Sequence, residues 1–250
     1  LYEFSLLLDD KDEIALLSHA EVCFMNFKFK KSFESYEKLV FLEKKDNGTK
    51  YKKKYCYKLI ISKNFEKAKE ILNELIEEKD KIDVLYYNAL IKIEEKNFKK
   101  ALECIDECFK INKSFINGYI TLAIILERQG KFEEAINNLK KVINLEKNNV
   151  VGLRNLGAIY SHIGKLDEAI IYLEKAIKIS PNDHETKFVL GQIQLYQKNF
   201  LDGWNNYESR WFCNNFSGKK FLSSKTILTN LKRLNRVLVW SEQGVGDQIM

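Results

Sequence analysis

VVGLRNLGAIYSHIGKLDEAIIYLEKAIKISPND (Val150–Asp183) is the stretch that decides the fold. Its first part carries Leu153, Leu156, Gly157 and Tyr160 at i, i+3, i+4 and i+7, an apolar or small stripe on one face of a helix. Gly164 breaks that helix. A second helix carries Ala169, Leu173 and Ala176, and Pro181 closes the stretch because proline cannot continue a helix. Working outward, the small residue returns on schedule: Ala101, Ala135, Ala169 and Gly203 each stand 34 residues after the last. Equal spacing means one helix-turn-helix unit stacked again and again.

The unit before, Ile116–Asn149, repeats the pattern with Tyr119, Leu122, Ala123, Gly130, Ala135 and Leu139. Ile82–Phe115 does so with Leu85, Ala89, Ala101, Ile105 and Cys108. Upstream, Cys56, Leu59, Phe65, Ala68 and Leu72 form a weaker unit, and Ala20, Cys23, Phe29, Ser32 and Tyr36 a weaker one still. The small residues have a mechanical role: Gly157 and Ala169 let two helices approach where a larger side chain would overpack. Lys113 and Lys147 stand near unit ends that lack a proline, which predicts longer, smoother second helices there.

Leu153, Leu156, Gly157, Tyr160, Ala169, Leu173, Ala176 and Pro181 match the tetratricopeptide signature, and the chain resembles that family. The resemblance implies an all-α tetratricopeptide-repeat solenoid. Its organisation is expected to be degenerate N-terminal repeat helices over 1–47, then repeats at 49–81, 82–115, 116–149, 150–183 and 184–217. A linker over 218–233 and the opening of another domain over 234–250 would follow. Such a solenoid presents a concave face built from the first helix of each repeat. Counting from Val150, the inward positions are Tyr86, Leu90 and Ile93, then Ile120, Ile124, Glu127 and Arg128. Arg154, Ala158, Ser161 and His162 follow, then Phe188, Gln192, Leu195 and Tyr196. The groove reads as mostly apolar with an Arg/His patch near its middle, suited to an extended or helical peptide. The alternative is that these residues pack on a neighbouring helix or domain. A carboxylate clamp and the asparagine ladder of the O-GlcNAc transferases are disfavoured. Tyr86, Leu90, Ile120 and Ile124 occupy the positions of the first, and only Asn155 fits the second.

The last unit changes character. DGWNNYESRWF (202–212) places Trp204, Tyr207 and Trp211 at i, i+3 and i+7, one helix face, expected to dock on a following domain. Gly203 replaces the usual alanine and is expected to let something bulky come close. His19 and His184 read as structural or surface residues. After Trp211 the helical period stops and CNNFSGKKFLSSKTILTNLKRLN reads as a connector. Arg236–Trp240 then has the β-branched and aromatic content of a buried parallel strand, and leads into Glu242-Gln243-Gly244-Val245-Gly246-Asp247. Strand, glycine loop and helix open a Rossmann-like unit whose backbone N–H groups favour anions. Asp247 also suits a helix N-cap.

GWxxYExRW at the end of the array, a connector, then VLVWSEQGVGD is a combination that resembles bacterial repeat-containing glycosyltransferases. Their catalytic part is similar to glycosyltransferase family nine, the heptosyltransferase group, with a GT-B architecture of two Rossmann-like halves. The resemblance implies transfer of a sugar from a nucleotide donor to a protein or glycan acceptor, without a bound metal or other cofactor. It implies Asp247 as general base for the acceptor hydroxyl. Gln243, Gly244 and Gly246 would lie beside substrate, and the catalytic domain would be a partner of the array. The other reading is a non-catalytic repeat scaffold for protein–protein interaction.

Composition is compatible with both. The 250 residues carry a net charge of +6, but lysines and acids are interspersed, as in EKAKEILNELIEEKDK. Solvated helix faces explain that better than a nucleic-acid stripe. Five cysteines, Cys23, Cys56, Cys104, Cys108 and Cys213, an odd count without a secretory leader, point to reduced thiols and a cytoplasmic location. Cys108 falls where other repeats carry Val142 and Ala176, so it reads as a core thiol. No stretch approaches the roughly 20 apolar residues a membrane span needs. The chain reads as a piece of a longer protein.

Overall fold

The computed structural model describes residues 12–43, 49–75 and 80–213, and these are helical. The chain divides into two compact units, Leu1–Pro181 and Asn182–Met250. In the first, helices pair as α1 (Glu13–Met25) with α2 (Phe29–Glu43), and α3 (Lys50–Ile61) with α4 (Phe65–Asn73). The pairs α5 (Lys81–Glu94) with α6 (Phe98–Ile111), and α7 (Ile116–Arg128) with α8 (Phe132–Leu145), follow, then α9 (Val150–His162) with α10 (Leu166–Ile179). The second unit holds α11 (His184–Tyr196) with α12 (Phe200–Tyr207), then a 3-10 turn at Glu208–Phe212. The Rossmann strand expected at 236–240 and the loop with Asp247 lie outside the described residues.

One device ends every first helix. A residue in the left-handed region follows the C-cap: Phe27, Lys63, Lys96, Gly130, Gly164 and Lys198, with φ between 57° and 78°. The next N–H then reaches back over the helix end, as Lys165 N–H does to the Tyr160 carbonyl (2.9 Å) and Asn97 N–H to the Lys92 carbonyl (2.8 Å). This is the Schellman closure, which satisfies carbonyls the helix leaves orphaned. Only Gly130 and Gly164 adopt it without steric cost.

Second helices end differently from expectation. α6, α8 and α10 have 14 residues each, although Pro181 follows only the last. Their C-caps Asn112, Glu146 and Ser180 all turn to extended or near-extended backbone, so the break in the chain path sets the length and the proline adds nothing to it.

The packing follows from the repeat. Ala68, Ala101, Ala135 and Ala169 are fully buried where the second helix crosses the first. Ile105, Leu139 and Leu173 beside them are also fully enclosed, each worth about 2–3 kcal/mol against exposure. Within this unit α2, α4, α6 and α8 each cover the next first helix, as α6 does α7 and α8 does α9. First helices also touch each other in sequence, α3 with α5, α5 with α7 and α7 with α9. The result within this unit is an inner layer of first helices backed by second helices. The N-terminal hairpin keeps the rule with Ala20 and Ser32 at its crossing, both fully buried, where the Ser32 hydroxyl donates to the Ala20 carbonyl (2.8 Å). The buried Glu43 carboxylate accepts from Tyr51 N–H (2.8 Å) and Lys52 N–H (3.1 Å), capping the positive end of α3 from the preceding helix. Cys56 and Cys108 are core thiols, and burial pushes the Cys56 thiol up to about 12 and the Cys108 thiol up to about 11.

Candidate functional site

The inner layer of the first unit places the expected groove residues unevenly. Ile120 (8% exposed) and Ile93 are core residues. Leu90 packs against the buried clusters on both of its sides. Tyr86 bridges α5 to the start of α7, edge-on to Phe115 with ring centres 5.5 Å apart, and its hydroxyl meets Thr121. Burial pushes that phenol up to about 12. These side chains hold neighbouring first helices together, so the apolar half of the expected groove is largely spent on packing. Ile124, Arg154, Ala158 and Ser161 remain half-buried, and Arg128 and His162 are exposed.

Nor is the middle a basic patch. Arg128 on α7 lies 3.8 Å from Glu94 on α5, and Lys63 stands at the same distance from Glu94. His162 on α9 approaches Glu127 on α7 at 2.8 Å through Nδ1, which must carry the proton because a carboxylate only accepts. The pairs bridge successive repeats at the C-terminal ends of their first helices. At partly exposed positions each is worth about 0–1 kcal/mol, so they can open for a partner at little cost. Glu127 was legible as an inward position, but Glu94 needed the neighbouring helix to be in place.

The second unit is described by itself. Phe188 on α11 packs on Tyr207, ring centres 5.2 Å apart, while Gln192 is exposed. The three aromatics expected on one α-helical face do not share one. The α-helix stops at Tyr207, and Trp211 follows in the 3-10 turn. Arg210 sits inside that turn, its guanidinium buried between the Tyr207 and Trp211 rings, 4.6 and 4.5 Å from their centres. It donates to the Tyr207 carbonyl (3.1 Å) and Glu208 (2.9 Å), while Trp211 Nε1–H donates to Glu208 (3.0 Å). Trp204 meets Tyr207 edge-on and is 41% exposed. Phe200 (58%) and Leu201 (77%) lie beside it in sequence and were missed. The signal was available, since Leu201 stands where earlier second helices carry Asp167, Glu133 and Lys99.

Gly203 does not admit a bulky outside group. A Cβ there would meet the Leu195 side chain and backbone N at 2.9 Å, so the close partner is α11 of its own hairpin. His184 is half-buried and stacks on Phe212 with ring centres 4.5 Å apart. Gln243, Gly244, Gly246 and Asp247 lie outside the described residues. Among the described residues no group of three or more His, Cys, Asp or Glu is placed to hold a metal, and no helix is long and apolar enough to cross a membrane.

The comparisons agree with this geometry. The family profile described as Psidin, N-terminal TPR repeats region, matches residues 81–192. No curated protein matches in sequence. Among solved structures, a tetratricopeptide repeat protein from Parabacteroides merdae is 16% identical with a TM-score of 0.59, covering 83% of this chain and 82% of that one. A thermophilic TPR protein of Thermus thermophilus is 18% identical with a TM-score of 0.56, over 64% and 89%. Pseudomonas aeruginosa pilF is 18% identical with a TM-score of 0.54, over 66% and 75%. At such identities the likeness concerns the fold. Paired helices on a fixed period, small residues at each crossing, and a repeat profile over 81–192 together give the described residues a tetratricopeptide-repeat fold.

Proposed function

We propose that the first unit binds a protein or peptide partner along its inner layer of first helices. The observation that carries this is the strip of charge pairs, Glu94–Arg128 and Glu127–His162, lying across successive repeats beside the half-open Ile124, Arg154 and Ala158. A peptide carrying an apolar side chain and both signs of charge can exchange those weak pairs for its own. Peptides selected on the full chain from a displayed random library are the test. Reversal of charge in the Arg128→Glu/Arg154→Glu double variant is expected to weaken them at least tenfold. Unchanged affinity removes this face from consideration.

A finer reading rests on the junction motifs alone. We infer that the array forms the N-terminal part of a cytoplasmic glycosyltransferase using a nucleotide sugar, with Asp247 as base and Gln243, Gly244 and Gly246 beside substrate. Trp204, with the exposed Phe200 and Leu201, supports a docking face for that domain, since open aromatics end a solvent-facing array poorly. Asp247→Ala in the parent protein is expected to abolish transfer with the helical content retained. Turnover at the parental rate rules out Asp247 as the base, whereas a parent protein that itself transfers no sugar leaves the scaffold reading, in which the array only assembles partners.

A further inference from the structure

The outer layer of second helices carries a row of side chains that the inner binding face does not use. Ile111, Leu145 and Ile179 are the last residues of α6, α8 and α10 and stand 34 residues apart, so repeat symmetry puts them along one edge of the first unit. They are 50%, 49% and 38% exposed, while Cys108, Val142 and Ala176, one turn earlier on the same helices, are closed to solvent. Such a row is no default of the outer layer. Ile171 on α10 is also exposed, but its counterparts are Asn137 and Glu103. Charge follows the row. Lys113 and Lys147 come two residues after Ile111 and Leu145, where the third repeat has Pro181, and Lys178 stands beside Ile179. All three lysines are exposed and make no ion pair among the described residues. The helix dipole does not call for Lys113 and Lys147, because its pull on a cation fades past the last turn and both lie beyond an extended C-cap. Nearby acids are already engaged: Glu107 by Lys110 (2.5 Å), and Glu146 by the Asn149 amide Nδ2 (2.6 Å).

We propose that this edge binds an acidic amphipathic helix of a partner protein, laid along the row. The row is one side chain wide, which matches the apolar stripe of a single helix. Its step matches too. First helices of successive repeats touch, which sets the advance per repeat at about 8–10 Å. Two turns of a helix rise about 11 Å, so one apolar side chain every two turns keeps pace with the repeats. About 15 residues then span Ile111, Leu145 and Ile179. The unpaired lysines beside the row fix the sign of the partner, because Asp or Glu next to its stripe steers it in and opposes a basic helix. A bilayer fits the row less well. Helices that lie on membranes offer a broad apolar face with aromatic side chains, whereas this edge offers one Ile or Leu per repeat. The row is on second helices and the charge pairs proposed to open for a peptide are on first helices, so the two surfaces can be tested separately.

The test selects displayed helical peptides of about 18 residues on the full chain, with Leu fixed at every seventh position and the rest random. Asp and Glu are expected to be enriched beside the fixed leucines. The selected peptides are expected to bind the Ile111→Ser/Leu145→Ser variant about tenfold more weakly than the parent chain. Lys113→Glu/Lys147→Glu is expected to weaken them by a similar factor, and to bind better a peptide whose acids are exchanged for lysine. Those two lysines lie in exposed turns, so this variant decides if the serine pair loosens its repeats. Arg128→Glu/Arg154→Glu, on the inner helices, is expected to change nothing. Selection without acidic enrichment, or peptides that bind both edge variants as tightly as the parent, overturns the proposal. Peptides weakened only by the inner arginine variant belong to the other face and overturn it as well. Binding to vesicles of phosphatidylserine and phosphatidylcholine that the edge variants abolish, with no peptide selected, assigns the edge to a membrane and overturns the partner helix.

Discussion

The hairpins α9–α10 and α11–α12 make the same crossing with different parts. In α9–α10 a glycine faces an alanine: a Cβ on Gly157 would meet Leu173 Cγ at 2.6 Å and the Ala169 carbonyl at 3.1 Å. In α11–α12 glycines face each other. A Cβ on Gly191 would meet the Tyr207 backbone N at 2.5 Å and the Asn206 carbonyl carbon and Gly203 oxygen at 2.9 Å. The first crossing is limited mainly by a side chain, the second by backbone. A small residue therefore reports what must pass it, and two glycines in register report main chain against main chain. That close seat goes with a second helix of 8 residues instead of 14 and with the switch to a 3-10 turn.

The sharpest way to break this comparison is Gly191→Ala. Backbone cannot turn aside, so overpacking should cost about 3 kcal/mol, the upper part of the usual range. Helix propensity returns about 1 kcal/mol of that. Amide exchange over α11 and α12 reads it directly, because an array loses stability repeat by repeat. Protection unchanged from the parent would mean the two helices are not in backbone contact. Gly157→Ala is expected to be milder, a net loss of about 1 kcal/mol, because Leu173 can change rotamer at the expense of its own packing. If Gly157→Ala proves the more damaging of the two, the distinction between side-chain and backbone limits is wrong.

The crossings were legible in the sequence because helical periodicity and the 34-residue spacing are local signals, readable without knowing any neighbour. What escaped depends on a second element. Glu94 sits in its own repeat as an ordinary surface acid, and only the side-by-side packing of α5 and α7 brings it to Arg128. His19 read as a structural or surface residue because Ser35, whose hydroxyl lies 2.8 Å from its Nδ1, comes from α2. The aromatic row failed for a related reason. Trp204, Tyr207 and Trp211 keep helical spacing in the sequence, while the backbone leaves the α path at Glu208 and Arg210 is buried between two of them. Composition gives no warning that a charged residue will be 4% exposed. The groove itself was over-read because one apolar position on a first helix can face either a partner or the next helix. Burial separated Ile120 from Ile124 where periodicity could not.

The smallest effect concerns the turns of the same two hairpins, and it carries opposite signs in each. Gly164 holds φ 78° after α9, and Lys198 holds φ 64° after α11. Both turns close the same way, Lys165 N–H to the Tyr160 carbonyl and Asn199 N–H to the Gln194 carbonyl, each 2.9 Å. A residue with a Cβ costs about 1–2 kcal/mol in that backbone region. Glycine removes this cost but gives back roughly 0.5–1 kcal/mol in unfolded-chain freedom. Lys198→Gly should therefore stabilise its hairpin by about 0.5–1 kcal/mol, and Gly164→Lys should destabilise its own by a similar amount. Amide protection in each hairpin, measured for the two single variants, gives both signs. If both variants destabilise, the Lys198 side chain contributes something the backbone angle does not explain. If neither moves protection, the closing hydrogen bond governs the turn and the residue at its left-handed position is incidental.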